Sequence, residues 1–155
     1  MTPKDQSAAD GPSMSAEALD EFLARPMIAR LATSLDDSPR ILPMWFRWDG
    51  SSLWMETSPT FRNYEVLMRN PRAAVAIDES LGGLRLRAVI MRGVVEIIEG
   101  PGDVVRDGVR RIYERYLRPD EMRDVAEEMM TGARHVLLRV TPATMTTWDT
   151  TSSDG

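Results

Sequence analysis

Apolar positions along this chain follow two periods, one near four residues and one of two. Between Ser15 and Arg25 the apolar residues Leu19, Phe22 and Leu23 fall on one helical face, with Ser15 as the N-cap. Met27 to Thr33 reads as a strand, Asp36-Asp37-Ser38-Pro39 as a turn, and Arg40 to Trp48 as a second strand. Asp49-Gly50 is a hairpin signal that leads into a third strand, Ser52 to Thr57. The first half therefore predicts an antiparallel meander.

Ser58 then suits an N-cap and Pro59 a first helical position, for a helix running to about Arg69 and closed by Asn70-Pro71. Arg72 to Asp78 predicts a central strand, since Ala73, Val75 and Ile77 face one way and Ala74 and Ala76 the other. Leu84 to Ile98 is a long strand, in which Gly93 marks a bulge or a close backbone approach. Gly102 to Leu117 carries Val105, Val109, Ile112 and Tyr116 at helical spacing. Pro119 to Met130 predicts a further helix with Met122, Val125, Ala126 and Met129 inward. His135 to Val140 and Thr144 to Trp148 form a last strand or strand pair. Six or so mostly antiparallel strands with interspersed helices indicate an α+β, barrel-like domain.

At 155 residues the chain has the size of one domain. Met1 to Ser13 has almost nothing to bury and reads as a mobile tail. The expected division is a tail over 1–14, a domain over 15–149 and a second tail over 150–155. No stretch approaches the roughly 20 apolar residues of a membrane span, and no signal-peptide core is present. The expected setting is the cytoplasm, with no membrane partner.

Composition narrows the chemistry. Cysteine is absent and His135 is the only histidine, which leaves no thiolate or His-rich metal site. The net charge of −5 and the lack of a basic run argue against nucleic acid as a partner. Lys4 is the only lysine, so an anion site must use arginine forks, backbone N–H groups or hydroxyls. No G-x-S-x-G, P-loop, G-x-G-x-x-G or H-E-x-x-H motif occurs. An enzyme with so little acid/base machinery would draw its chemistry from a cofactor. One local arrangement suggests an anion site: Ser58, Thr60 and Arg62 cluster where a helix begins. An ordinary capped helix with an exposed arginine accounts for the same residues.

Ala29-Arg30-Leu31-Ala32-Thr33, Pro39 to Gly50 (PRILPMWFRWDG), Leu53 to Thr57, Asn70-Pro71-Arg72, Arg92-Gly93 and Thr147-Trp148-Asp149 occur in that order. This ordered set resembles the pyridoxamine 5′-phosphate oxidase-like superfamily of flavin and deazaflavin split β-barrels, and within it the small F420H2-dependent reductases. The resemblance spans about Ser15 to Asp149. It implies a homodimer of six-stranded split barrels holding two cofactors at the interface, F420 as first choice and FMN as second. Ile41, Pro43, Met44, Trp45 and Phe46 would lie along the cofactor, with Glu56 and Thr57 at a strand end. Phe61, Arg62 and Asn63 fall on the family's Ser-Arg-Lys phosphate motif, of which only Arg62 is kept. Ser58 and Thr60 are the candidates to compensate. Trp148 matches an aromatic residue near the ring system, and Arg87 is a contributor from the second subunit.

The pyridoxine-pathway oxidases carry a lysine at the place of Phe46 and an Arg-x-His motif where this chain has Thr146-Thr147-Trp148-Asp149. The resemblance therefore does not extend to vitamin B6 oxidation. What it implies is a reductase passing a hydride to an electron-poor double bond in a small apolar molecule. The alternative is a non-catalytic module on the same barrel that holds F420, flavin or haem. A dimer with an empty cleft is a third reading.

Overall fold

The computed structural model describes residues 13–131 and 134–151; in α4 the side chains of 129–131 are outside the described set. Most of both predicted tails thus lies outside the described residues. The elements are α1 (Ala16–Leu23), β1 (Ala29–Leu35), β2 (Ser38–Met44), β3 (Arg47–Trp48), β4 (Leu53–Thr57), α2 (Arg62–Arg69), β5 (Arg72–Ser80), β6 (Leu86–Ile98), α3 (Gly102–Tyr113), α4 (Pro119–Thr131), β7 (Val136–Val140) and β8 (Thr144–Asp149). The strands form one antiparallel sheet in the order β2-β1-β5-β6-β7-β4-β3, with β8 also paired to β6. The sheet does not close, and the fold is α+β and barrel-like as the strand pattern predicts, a split barrel as the resemblance implies. Among the described residues eight strands replace the expected six or so, because the second predicted strand breaks at Trp45-Phe46 and the last is a true pair.

The core follows from the alternation. Leu31, Leu53, Met55, Val75, Ile77, Val89 and Met91 point inward and meet Leu19, Phe22 and Leu23 of α1. Ser15 caps α1 as its sequence position predicts, accepting from the Ala18 N–H at 3.1 Å. β5 lies between β1 and β6, as its two apolar faces require. A second cluster, Val105, Val109, Ile112 and Leu137, joins α3 to the outer side of β7. Gly108 permits that approach, since a Cβ there would stand 2.4 Å from Leu137 Cδ1.

β6 holds the two halves of the barrel together. Along one edge it pairs with β8 from Arg87 to Arg92 and then with β7 from Val95 to Ile98. Gly93 sits at the changeover, where a Cβ would lie 2.8 Å from the Thr141 carbonyl oxygen. The glycine therefore serves a close backbone approach. The ladder continues past Asp149, with the Thr150 N–H donating to the Leu86 carbonyl at 2.9 Å.

Three expectations need correction. The Asp36-Asp37 turn is tighter than a four-residue turn: both residues have positive φ (51° and 58°), and Leu35 pairs directly with Ser38. The second predicted helix starts at Arg62 rather than after Ser58, with Phe61 at the N-cap and no side-chain cap. The Ser58 carbonyl instead accepts from the Phe61 N–H at 2.9 Å, closing a turn ahead of the helix. In α4, Met122 and Val125 are half-buried but Ala126 is exposed. The expected inward Met129 falls outside the described side chains. Among the described residues, no helix is long and apolar enough to cross a membrane.

Gly93 in β6 and the Asp49 turn each carry a stability prediction. Gly93→Ala should cost about 1–3 kcal/mol, the usual range for overpacking, because the added carbon meets backbone; urea unfolding reads this directly. Asp49 accepts from the N–H groups of Ser51 and Ser52 (2.9 and 2.7 Å), the Ser51 hydroxyl (3.1 Å) and the Trp54 indole N–H (2.7 Å). Desolvation opposes the charged form, but these donors together hold its pKa down at about 2. A depressed folded-state pKa adds stability above the unfolded value near 4 and loses it as the pH falls towards 2. Asp49→Asn should therefore lower the unfolding midpoint at neutral pH, and the gap from wild type should shrink between about pH 4 and pH 2.

Candidate functional site

Two hollows meet on the surface beside β2. The first, about 420 Å³, is walled by β2 from Leu42 to Met44, by Trp45, by Glu56 and Thr57 at the end of β4, and by Tyr113 of α3. The second, about 520 Å³, lies farther along β2 over Thr33, Arg40 and Ile41, against Arg62 of α2. Leu42, Phe61 and Asn63 line both. Ile41 is 68% exposed and Phe61 59%, so the rim is apolar and open to contact.

The break between β2 and β3 shapes the first hollow. Phe46 is fully buried, and both of its backbone groups are engaged. Its N–H donates to the Tyr116 hydroxyl at 3.1 Å, and its carbonyl accepts from the Arg115 guanidinium. Tyr116 in turn donates to the Met27 carbonyl at 2.7 Å. Arg115 also donates to the carbonyls of Leu23 (2.9 Å) and Arg25 (2.8 Å). With Phe46 held inward, its neighbour Trp45 turns outward. The indole stacks on Tyr116 at 4.7 Å between centroids and meets the Tyr113 ring edge-on at 5.4 Å.

The polar groups of the site are linked in short sets. The Thr57 hydroxyl donates to Asn63 Oδ1 at 2.6 Å, while the buried Asn63 Nδ2 has no partner among the described residues. Glu56 accepts from the Tyr113 hydroxyl at 2.8 Å and lies 2.9 Å from His135 Nδ1. Burial and the adjacent Glu56 carboxylate push the Tyr113 phenol well above its ordinary pKa near 10. Arg62 is bound to Glu65 one turn on, at 2.6 Å, and remains about half exposed. Ser58 is buried, and its hydroxyl is joined to that of Thr60 at 3.0 Å.

The predicted site residues thus divide. Pro43, Met44, Trp45, Glu56, Thr57, Phe61 and Asn63 surround the first hollow, and Ile41 and Arg62 the second. Phe46 lies behind the wall, and Ser58 and Thr60 bond to each other in the turn before α2. Arg87 and Trp148 line neither hollow. Arg87 bridges to Glu79 at 2.7 Å over the Phe22 ring, and Trp148 of β8 pairs with Ala88 of β6. Tyr113 and His135 are the site neighbours that sequence reading passes over. The signal for His135 is in the register: Glu56 opposes Leu137, and His135 is two residues before Leu137 on the same face.

The profile of the family described as pyridoxamine 5′-phosphate oxidase matches residues 15–149. The chain belongs to that family. Among solved structures, a conserved hypothetical protein from Mycobacterium tuberculosis is 28% identical with a TM-score of 0.76, over 91% of this chain and 88% of that one. An F420 reductase is 26% identical with a TM-score of 0.58, over 81% of this chain and 94% of that one. An FAD-binding protein from Mesorhizobium loti, 20% identical with a TM-score of 0.64 over 88% and 93%, shares the fold. No curated protein matches the chain.

Arg115→Met should take one donor from each of three carbonyls, of which Arg25 still accepts from the Met27 N–H at 2.9 Å and Phe46 faces the Tyr116 hydroxyl at 3.3 Å, and should cost about 1–3 kcal/mol. The same variant should change Trp45 fluorescence in the folded state, because the Phe46 carbonyl that fixes the break loses its cation.

Proposed function

We propose that this protein is an oxidoreductase that uses reduced F420, with FMN as the second cofactor choice, to reduce an electron-poor double bond in a small apolar molecule. The observation that carries the reading is the pairing of the two hollows. One is apolar and aromatic, which suits a flat ring; the other has Arg40 and Arg62, which suit an anion. The unpartnered Asn63 Nδ2 at their junction fits a site built to meet an acceptor atom. The likeness to an F420 reductase at 26% identity supports the cofactor choice. When bound, the cofactor supplies the hydride. The chain's own part is to grip the anionic end through Arg62 and Arg40, to wall the ring with Trp45, Met44 and Phe61, and to exclude water.

The same reading calls for a homodimer, in which a second copy brings Arg87 and Trp148 towards the cofactor. A shallow hollow of about 540 Å³ on the outer sheet face supports it. Small residues line that face, among them Ala32, Ala74, Gly93 and Ala143, and Val94 is 59% exposed. A specific feature favours a second reading, a non-catalytic carrier of F420, flavin or haem. The phenol on the wall of the first hollow, Tyr113, already gives its proton to Glu56, and the Thr57 hydroxyl there gives its own to Asn63.

The cofactor reading is tested by titrating F420 and FMN by fluorescence. Either should bind well below millimolar concentration, and Arg62→Ala should weaken it by about tenfold or more, the worth of one charge-assisted hydrogen bond. An unchanged dissociation constant would place the anion elsewhere. Binding without oxidation of the reduced cofactor by enones, quinones or nitro compounds would support the carrier.

A further inference from the structure

The Glu56 carboxylate ties together three elements. Oε1 accepts the Tyr113 hydroxyl proton from α3 at 2.8 Å, and Oε2 faces His135 Nδ1, just ahead of β7, at 2.9 Å. Glu56 and Tyr113 line the first hollow and His135 does not. A carboxylate has only acceptor sites, so the single proton of Tyr113 is committed to Oε1. Glu128 of α4 adds further negative charge near the phenol, which keeps the hydroxyl protonated. What Tyr113 has left to offer the hollow is a lone pair.

We propose that the inner end of the first hollow selects molecules that present an N–H or O–H donor to Tyr113 Oη and disfavours a carbonyl, nitro or other acceptor there. Glu56 sets this polarity by taking the phenolic proton. His135 is a positioning residue, since its Nδ1–H holds Oε2 so that Oε1 stays turned to Tyr113. The inference deepens the functional reading and rests on it, because it takes the hollow to be the ligand site; an enone, quinone or nitro substrate would turn its acceptor group away from Tyr113.

A pair of equal-sized flat probes tests it on the cofactor-free protein: indole, a donor, and benzoxazole, an acceptor. Binding is followed by NMR at the Met44 methyl group. Wild type should bind indole roughly three- to tenfold tighter, the span of one hydrogen bond gained or an acceptor left unpaired. Glu56→Gln should reverse the order. Its amide oxygen accepts from His135 and its amide nitrogen donates to Tyr113, which frees the phenolic proton for the hollow. Tyr113→Phe keeps the ring against Trp45 and should abolish the preference, so the test survives a failure of the first variant to fold. Because His135 is the only histidine, its ¹⁵N signals are unambiguous, and neutral His135 should carry its proton on Nδ1. His135→Gln, which keeps an N–H donor, should preserve the indole preference, and His135→Ala should weaken it. Equal affinities in wild type, a ratio unmoved by Glu56→Gln, or a proton on Nε2 alone would overturn the inference while leaving cofactor binding intact. Failure of both probes to bind would count against the hollow itself, and so against the functional reading and this inference together.

Discussion

The Arg115 guanidinium is the group on which the site's shape depends. It is spent on three backbone carbonyls, those of Phe46, Leu23 and Arg25. Burial pulls its pKa down, yet arginine keeps its charge in a protein. A planar fork with five donors can serve three carbonyls from two segments at once, and a lysine ammonium has no such fixed geometry. The end of α1, the β2–β3 break and the segment after α3 are thereby held together. Tyr116, the next residue, engages Phe46 and Met27 and supplies the face on which Trp45 stacks. Core packing alone would bury Phe46; turning Trp45 to the opposite side, with its backbone satisfied, needs this clamp.

On that frame the site has two opposed ends. Arg40 and Arg62 sit on the outer hollow, where water is close and their charges are screened. Glu56 and Tyr113 line the first hollow, with His135 bonded to Glu56 outside it, all partly withdrawn from solvent, where hydrogen-bond direction matters more than net charge. A molecule lying across both meets attraction for negative charge at one end and a set of committed protons at the other. Phe61 and Leu42, shared by the two, give it an apolar middle.

The hairpins β1–β2 and β3–β4, the long β6 and the helices α1 and α3 were legible in the sequence, because apolar periodicity and turn residues such as Asp36-Asp37 and Asp49-Gly50 agree there; a continuous meander is not formed, since the two hairpins lie at opposite ends of the sheet order. The start of α2 was not. Ser58-Pro59 has the local chemistry of a helix start, but the Ser58 carbonyl closes a turn on Phe61 and delays the helix to Arg62. The break at Trp45-Phe46 was equally hidden, since it depends on Arg115 and Tyr116, about seventy residues away. For the site, residues contiguous in sequence were readable: Pro43 to Trp45, Glu56-Thr57 and Phe61 to Asn63. Tyr113 and His135 were not, because only the β4–β7 register and the seating of α3 through Gly108 bring them to Glu56.

The connection from β7 to β8 has no slack. Three residues, Thr141, Pro142 and Ala143, carry the chain from one stretch of β6 to the next, and the Ala143 N–H closes on the Arg92 carbonyl at 2.8 Å. One inserted residue would slide β8 by a single step and turn Trp148 to the opposite side of the sheet. Changes in chain length among relatives should therefore collect where no strand is in transit, at the Gly82-Gly83 tip between β5 and β6 and in the passage from α3 to α4, while this short crossing keeps its count.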